Sequence, residues 1–253
     1  MNLNEAKLQF VTSQGDDALI LSHRVTEWCG HGPELEEDIA LSNIGLDLLG
    51  QAQSLLNYAG ELEGKGRNAD DMAYKRIERE FKNLLLVEQP NGNYADTIAK
   101  HFFYDVYHYF LLLDLKNSSD EFLRGFAEKS IKEVAYHLRH TSQWVIRFGD
   151  GTEESHEKIQ TAIDQIWKYT GEMFMKDETS DFLEKEGVIP NIDALKAKWE
   201  GKVREVLNEA TLKYPETTFM AKGGRDGIHS ENLGYMLTDM QYLVRTYPDA
   251  KWD

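Results

Sequence analysis

The chain has 253 residues, and its 44 acidic residues against 28 lysines and arginines give a formal charge of −16. A charge of this sign repels nucleic acid and anionic lipid, so we exclude both as partners. The single cysteine, Cys29, excludes an internal disulfide framework, fits a reducing compartment and is expected to be a buried, inert thiol. The first twelve residues lack the apolar stretch of a signal peptide, and no run of about 18 apolar residues predicts a membrane span. We therefore expect a cytoplasmic protein.

The apolar residues recur with a helical period along almost the whole chain, and no segment alternates with the period of a strand. The first predicted helix contains residues 18–28. It ends before Pro33, which suits the first turn of a second helix that is predicted to reach Glu63. A third helix is predicted around residues 74–84, before a turn signal at residues 89–92.

The most apolar stretch is residues 94–115, where aromatic and aliphatic side chains cover nearly every face of a helix. Such a helix belongs in the middle of a bundle or against another subunit. Further helices are predicted over residues 120–148, 154–175, 192–212 and 231–247. Four long helices with short connections predict an all-α protein built as an antiparallel four-helix bundle. We expect a single domain over residues 1–253, with the core bundle at about 14–148 and accessory C-terminal helices at about 152–253.

A bundle of this size that contains histidines raises the hypothesis of a dinuclear metal–carboxylate site. Such a site takes a Glu from each of two helices and a Glu-x-x-His pair from each of the other two. Three histidines follow an acid by three positions, in the pairs Asp105/His108, Glu153/His156 and Asp226/His229. The second pair belongs to an acid-rich helix start and the third to a glycine-containing loop, so only the first is a serious candidate. A neighbouring predicted helix adds Glu133 and His137, whose four-residue spacing also suits a metal.

The number of ligands decides against a complete site. The long helix from Pro33 to Glu63 supplies no inward pair of an acid and a histidine, and two metal ions need about six ligands. The favoured interpretation is that these acids and histidines are buried polar groups that satisfy one another. Two alternatives stay open. One is a homo-oligomeric bundle with a storage or binding role, and the other is an independent metalloenzyme that uses Asp105, His108, Glu133 and His137.

Basic residues gather in two clusters of the acidic sequence, which are Lys75, Arg76, Arg79 and Lys82, and Lys196, Lys198, Lys202 and Arg204. Each cluster is either a solvated helix face with ion pairs or a local binding site for a phosphate-bearing ligand. The glycine-rich residues 223–227 follow no predicted strand, so we interpret them as a shaped surface loop rather than a phosphate loop. Gly45 and Gly50 each cost about 1 kcal/mol relative to alanine inside a helix, which predicts close helix packing at these positions.

Several long runs of the sequence are distinctive: EWCGHGPELE at 27–36, NIGLDLLGQA at 43–52, NLLLVEQPNGN at 83–93, KEVAYHLR at 132–139, GGRDGIHSENLG at 223–234 and MQYL at 240–243. These runs resemble the structural subunit of the bacterial ring 1,2-phenylacetyl-CoA epoxidase, in the ferritin-like superfamily. The resemblance extends from about residue 15 to residue 252. Strings of this length are far more specific than a short motif.

The resemblance implies a ferritin-like scaffold that pairs with a homologous catalytic di-iron subunit. That complex would use O₂ to convert the ring of phenylacetyl-CoA to an epoxide during phenylacetate degradation. A small accessory subunit would complete it, and a reductase with flavin and an iron–sulfur cluster would deliver electrons. This chain would hold no cofactor and no catalytic residue of its own.

The resemblance also implies roles for individual residues. Asn43 and Leu46 stand where the catalytic subunit needs a Glu and a His, and Val134 stands where a second Glu would precede His137. Asp105 and His137 would then be remnants of metal-ligand positions. The CoA moiety would contact two segments, with Lys82 meeting a phosphate, and these comprise Glu80, Phe81, Lys82, Asn83, Asp181, Phe182 and Leu183.

Overall fold

The computed structural model describes residues 2–250 and contains no β-strand in that range. Its helices there are α1 (Leu3–Thr26), α2 (Leu35–Glu63), α3 (Ala69–Tyr74), α4 (Tyr94–Leu115), α5 (Glu121–Gly149), α6 (Glu153–Ile166), α7 (Glu178–Lys185), α8 (Ile192–Glu209) and α9 (Glu231–Thr246). Short 3₁₀ turns cover Glu78–Glu80, Trp167–Tyr169, Gly171–Phe174 and Gly224–Asp226. The all-α prediction is confirmed, with α1, α2, α4 and α5 as the long helices of a ferritin-like bundle.

Side chains that accept backbone hydrogen bonds fix where the long helices begin. The amide of Glu5 donates to Oδ1 of Asn2 at 2.9 Å, so α1 begins well before the predicted residues 18–28. Asn93 caps α4 and Asp120 caps α5 in the same way. Such caps satisfy amides that have no partner within the helix. The early part of α1 escaped prediction because polar and apolar residues are interspersed up to Thr12 and the residues from there to Asp17 are small or polar.

The core of the protein is built around α4. Helix α1 packs along α2 and α4 packs along α5, whereas α2 and α5 touch each other only sparsely. Helix α4 also contacts α6 and α8, and Phe102, Phe103 and Val106 on it are completely buried. One hydrophobic core extends from α1 to α9, so the C-terminal helices share the core of the bundle.

The predicted helix around residues 74–84 is wrong. Helix α3 already ends at Tyr74, and residues 81–93 are irregular apart from turns. The apolar residues here have helical spacing, but Ile77 is 57% exposed and does not belong to a buried stripe. The backbone amides of this segment bond to buried carboxylates of other elements. Tertiary hydrogen bonds therefore override the local pattern.

Three further features differ from expectation. The helix predicted over residues 154–175 ends at Ile166 and is followed by two 3₁₀ turns. Helix α7 was not predicted, because its eight residues are mostly polar. Cys29 is exposed after the end of α1, so the expectation of a buried thiol is wrong. No helix in residues 2–250 is long and apolar enough to cross a membrane.

Gly45 and Gly50 both lie on α2, but only Gly45 lies against another helix. A Cβ atom at residue 45 would overlap Cγ2 of Thr26 on α1, whereas a Cβ atom at residue 50 would meet nothing within 4 Å. We expect Gly45→Ala to lower the free energy of unfolding by about 1–3 kcal/mol through overpacking. Gly50→Ala should raise it by up to about 1 kcal/mol, because alanine favours the helix. Urea denaturation measures both variants, and equal destabilisation by the two would contradict the close approach at Gly45.

Candidate functional site

The interior of the bundle contains His137 of α5, whose side chain is completely buried. Its Nε2 lies 3.1 Å from Oδ2 of Asp47 on α2, and its Nδ1 has no hydrogen-bond partner among residues 2–250. The resemblance placed Asn43 and Leu46 at interior ligand positions of α2. The structure corrects this register, because both residues are exposed, Leu46 by 64%. The buried Ile44 and the half-buried Asp47 face the interior instead.

Asp105 and His108 of α4 are buried near His137, but no hydrogen bond joins either of them to it among residues 2–250. Oδ2 of Asp105 accepts a hydrogen bond from Thr141 at 3.0 Å, and its Oδ1 has no partner among the described residues. Burial raises the pKa of Asp105 to about 7 and lowers the pKa of His108 to about 3, so it favours the uncharged form of each. Glu133, which was expected beside His137, accepts a hydrogen bond from Gln51 at 2.9 Å.

These donors do not fit a pair of metal ions. A metal-binding pair would need an acid three residues before Asp47 and three residues before His137. Ile44 and Val134 occupy these positions, and both are buried hydrocarbon side chains. Within residues 2–250, no three side chains of His, Cys, Asp or Glu are grouped so that they could hold one metal ion. We therefore assign no step of metal chemistry to residues of this chain.

The two other acid–histidine pairs of the sequence have structural partners. Glu153 is the first residue of α6, and Nδ1 of His156 bonds to a backbone carbonyl at 2.7 Å. Asp226 is exposed, whereas the side chain of His229 is buried against the carboxylate of Glu88. In neither pair do the acid and the histidine face a common metal-binding position.

A cavity of about 800 Å³ lies beside α1, between the segment at residues 79–82, helix α7 and the loop at residues 222–226. It brings together Glu80, Lys82 and Leu183, which the resemblance implied from two distant segments. Seven basic side chains line it, and we call it the basic cavity; they are Arg67, Arg76, Arg79, Lys82, Lys176, Lys222 and Arg225.

Three of these basic side chains are free to bind an anion. The other four are neutralised in the pairs Arg67–Glu63, Arg76–Asp16, Lys176–Glu184 and Arg225–Asp17. Arg79, Lys82 and Lys222 have no carboxylate oxygen within 4.0 Å among residues 2–250. Five acids also line the cavity, and of these Glu63 belongs to one of the four pairs.

The second basic cluster of the sequence contains no side chain that is free to bind an anion. All four of its members are engaged, in the contacts Lys196–Glu200, Lys198–Asp114, Lys202–Glu205 and Arg204 over the ring of Tyr214. This cluster is a solvated helix face with ion pairs, as one of its two interpretations predicted.

Two adjacent acids of α1 hold the segment that carries Lys82. The amide of Lys82 donates to Oδ2 of Asp16 at 2.8 Å, and the amide of Leu84 donates to Oδ1 of Asp17 at 2.7 Å. Arg225 donates to Oδ2 of Asp17 and to the carbonyl of Lys82, both at 2.7 Å. Burial raises the pKa of Asp17 to about 6, although the guanidinium of Arg225 opposes this shift.

The buried carboxylate of Glu172 joins this segment to the glycine-rich loop. Its Oε1 accepts from the amides of Gly223 and Arg225 at 2.9 and 3.2 Å, and its Oε2 accepts from the amide of Leu85 at 3.0 Å. Hydrogen bonds from amides to an ionised acceptor are strong ones. The two walls of the basic cavity therefore form one unit.

The family model for phenylacetic acid catabolic proteins matches residues 2–252 of this chain. The chain belongs to this family. It is also 50% identical over 238 residues to a subunit of 1,2-phenylacetyl-CoA epoxidase from Escherichia coli strain K12. The aligned region covers 94% of this chain and 96% of that relative. The family resemblance expected from the sequence runs is confirmed.

In this member of the phenylacetic acid catabolic protein family, four of the seven implied CoA contacts do not line the basic cavity. Phe81 and Asn83 are completely buried, and the ring of Phe81 lies 4.2 Å from the guanidinium carbon of Arg76. Asp181 is exposed on α7, and Phe182 packs half-buried against the core. Phe81, Asn83 and Phe182 are therefore packed inside the protein and Asp181 faces solvent, so none of the four lines the cavity.

Sequence reasoning missed the acids that build the wall, which are Asp16, Asp17, Glu88 and Glu172. One signal was available, because Asp16 and Asp17 directly precede the apolar stripe of the first predicted helix. The structure shows that both are buried, and buried acids require partners. Glu88 and Glu172 give no local signal, since their partners lie far away along the chain.

Proposed function

We propose that this chain is the structural subunit of a phenylacetyl-CoA ring epoxidase, and that its basic cavity binds the CoA part of the substrate. The observation that carries the proposal is the 50% identity to a subunit of that enzyme, together with three unpaired basic side chains in one cavity. In the reaction, one atom of O₂ enters the aromatic ring and the other leaves as water, with two electrons and two protons consumed.

The oxygen chemistry would belong to a homologous di-iron subunit, with a flavin and iron–sulfur reductase as electron donor and a small accessory subunit in the complex. The interior of this bundle supports that division of roles. Two inward positions are occupied by Ile44 and Val134, and Asp47 is already bonded to His137. What remains for this chain is to hold its partner and to bind substrate.

An exposed apolar stripe on α2 is the surface that we propose for the catalytic subunit. Leu35, Ile39, Leu46 and Leu49 are 72, 52, 64 and 42% exposed. Their spacings of four, seven and three residues place them on one helix face, as in the seam between two packed helices. Exposed apolar side chains grouped on one helix face mark an interaction site. We call these four residues the α2 stripe.

The chemistry of the basic cavity suits an acyl-CoA. Phosphate oxygens accept charge-assisted hydrogen bonds, which Arg79, Lys82 and Lys222 can donate. Other parts of the wall are apolar, with Leu111 and Leu183 among the lining residues, and they suit the uncharged pantetheine arm. On a chain of charge −16, such a site is needed to attract a polyanionic ligand at all.

Lys82→Met tests the site, because it removes the charge and keeps much of the side-chain length. We expect it to weaken the binding of coenzyme A about tenfold, since one charge-assisted bond is lost. Isothermal titration calorimetry on the full-length chain with its partner measures the affinity. The matched control is Lys202→Met, because Lys202 is paired with Glu205 on α8 and should leave binding unchanged. Equal affinities of wild type and Lys82→Met would refute the placement of CoA in this cavity.

A further inference from the structure

His229 lies where the loop of residues 222–230 meets the segment of residues 79–89. Its imidazole side chain has no exposed surface. Nε2 lies 2.9 Å from the carbonyl oxygen of Phe81, and Nδ1 lies 2.8 Å from Oε2 of Glu88. One ring therefore ties two positions of the segment to the loop that leads into α9.

Both partners of this ring can only accept a hydrogen bond. A backbone carbonyl carries no proton. Both oxygens of Glu88 already receive donors, since Oε1 accepts from the amide of Ser230 at 2.6 Å and Oε2 accepts from Nδ2 of Asn83 at 3.0 Å. With Glu88 ionised, the ring donates from both of its nitrogens, and only the imidazolium form does so. The geometry assigns a positive charge to His229.

The acids around the ring favour the same form. Burial on its own lowers the pKa of His229, but the hydrogen bonds to Glu88 and to the Phe81 carbonyl, with the charges of Glu88 and Glu78, raise it above the ordinary value. Glu78 belongs to the 3₁₀ turn beside the start of α9, where its carboxylate faces Gly234.

The cations near this ring are directed to other groups. From α1, Arg24 donates to the backbone carbonyl of Glu88 at 2.9 Å and pairs with Glu27. Within the loop, Arg225 is paired with Asp17. Arg79 and Lys82 of the neighbouring segment line the basic cavity. His229 is therefore the cation that neutralises the side chain of Glu88.

The carbonyl of Phe81 connects His229 to the basic cavity. Phe81 stands between Glu80 and Lys82, both of which line the cavity on the segment side. The loop contributes Lys222 on the other side. The separation of the two unpaired lysines thus depends on contacts between segment and loop, and His229 makes two of these contacts.

We propose that His229, held as an imidazolium, is a positioning residue of the basic cavity that keeps Lys82 and Lys222 at the separation at which both meet the phosphates of an acyl-CoA. This inference rests on the proposed function of the cavity. A neutral ring has a single N–H, so one of its two acceptors would face a nitrogen lone pair. The segment then loosens from the loop, and the affinity for the ligand falls.

The direction of the pH dependence follows from the raised pKa. A group that holds its proton more tightly in the folded protein stabilises it fully below the unfolded-state pKa, and this contribution is lost as the pH rises through the folded-state pKa. The contact between segment and loop, and with it the affinity for coenzyme A, should therefore be strong at slightly acidic pH and weaker in alkaline solution.

The test is the affinity for coenzyme A between pH 6.5 and 9, for the full-length chain co-purified with its partner. For wild type we expect a decrease of about tenfold across this range, the size expected for one charge-assisted hydrogen bond. His229→Gln, which offers one uncharged donor at every pH, should bind at pH 6.5 as weakly as wild type does at pH 9. The phosphates of coenzyme A titrate near pH 6. This titration affects both proteins equally, so it cancels in the ratio of their affinities for coenzyme A. His156→Gln is the matched control and should follow wild type.

Two further measurements separate the possible failures. A ¹H–¹⁵N correlation spectrum of the histidine rings should show both nitrogens of His229 protonated at pH 7.5, and a neutral ring there would overturn the inference without any variant. In steady-state assays, rising pH should increase the KM for phenylacetyl-CoA in wild type more than in His229→Gln, with kcat changed equally. If both proteins have the same pH profile while Lys82→Met binds weakly, the inference fails and the proposed function stands. If Lys82→Met binds as wild type does, the proposed function itself fails.

Discussion

Arg225→Met is expected to lower the free energy of unfolding by about 3–5 kcal/mol, the usual result of breaking a buried ion pair. Asp17 has no exposed side-chain surface and depends on Arg225 as its cationic partner. The same guanidinium donates to the carbonyls of Ser13 and Lys82, which would also lose a donor. Urea denaturation followed by circular dichroism measures the loss. Coenzyme A binding should weaken as well, because the wall that carries Lys82 is no longer fixed.

The control for this experiment removes the buried charge together with its partner. Adding Asp17→Asn to Arg225→Met should recover part of the lost stability, because the uncharged amide does not need a cation. A double-mutant cycle gives the coupling energy between the two side chains. Strictly additive effects would show that Arg225 and Asp17 act independently and would contradict the role given to the pair.

Leu46→Glu, in the middle of the α2 stripe, is expected to weaken assembly with the catalytic subunit at least about tenfold. Fully burying a leucine side chain is worth about 1.5–3 kcal/mol, and a carboxylate in its place has to be desolvated. The variant should unfold as wild type does, because Leu46 is 64% exposed in this chain. Size-exclusion chromatography of the co-expressed subunits, with metal analysis of each peak, measures assembly. The wild-type complex should carry iron, and the dissociated variant chain should elute without it.

The matched control for assembly is Leu113→Glu, at an apolar residue of α4 that is 37% exposed outside the α2 stripe. It should co-elute with the partner. The opposite pattern, with Leu113→Glu dissociated and Leu46→Glu assembled, would place the interface on another face. Stoichiometric iron in the isolated chain would favour the independent metalloenzyme built on Asp105, His108, Glu133 and His137.

The helices that could be predicted from the sequence are those whose positions are determined by their own residues. Residues 94–115 and 120–148 agree with α4 and α5 to within one residue at each end, because an apolar face and a capping side chain mark each of them. The segment around residues 81–93 could not be predicted in this way. Its backbone is held by Asp16 and Asp17, so its conformation depends on a helix that lies far away in sequence.

For the candidate site, the sequence predicted which residues lie near one another better than it predicted which way their side chains point. Glu80, Lys82 and Leu183 do meet at one cavity. Asn43 and Leu46 were assigned to the interior one residue out of register, and one residue turns a side chain by about 100° around a helix. Which face of α2 points inward is decided by its packing on α1, where Gly45 allows the close approach.

The buried polar side chains of the bundle have a consequence for engineering. His101, Asp105, His108 and His137 each have at least one buried nitrogen or oxygen without a hydrogen-bond partner among residues 2–250. Such an atom typically costs about 1–3 kcal/mol, and Ile44 and Val134 show that hydrocarbon fits the same interior. The protein therefore contains a reserve of thermal stability that combinatorial repacking with aliphatic residues could release. We expect a redesign confined to this interior to raise the melting temperature of the chain while leaving its surface residues, and with them its assembly, unchanged.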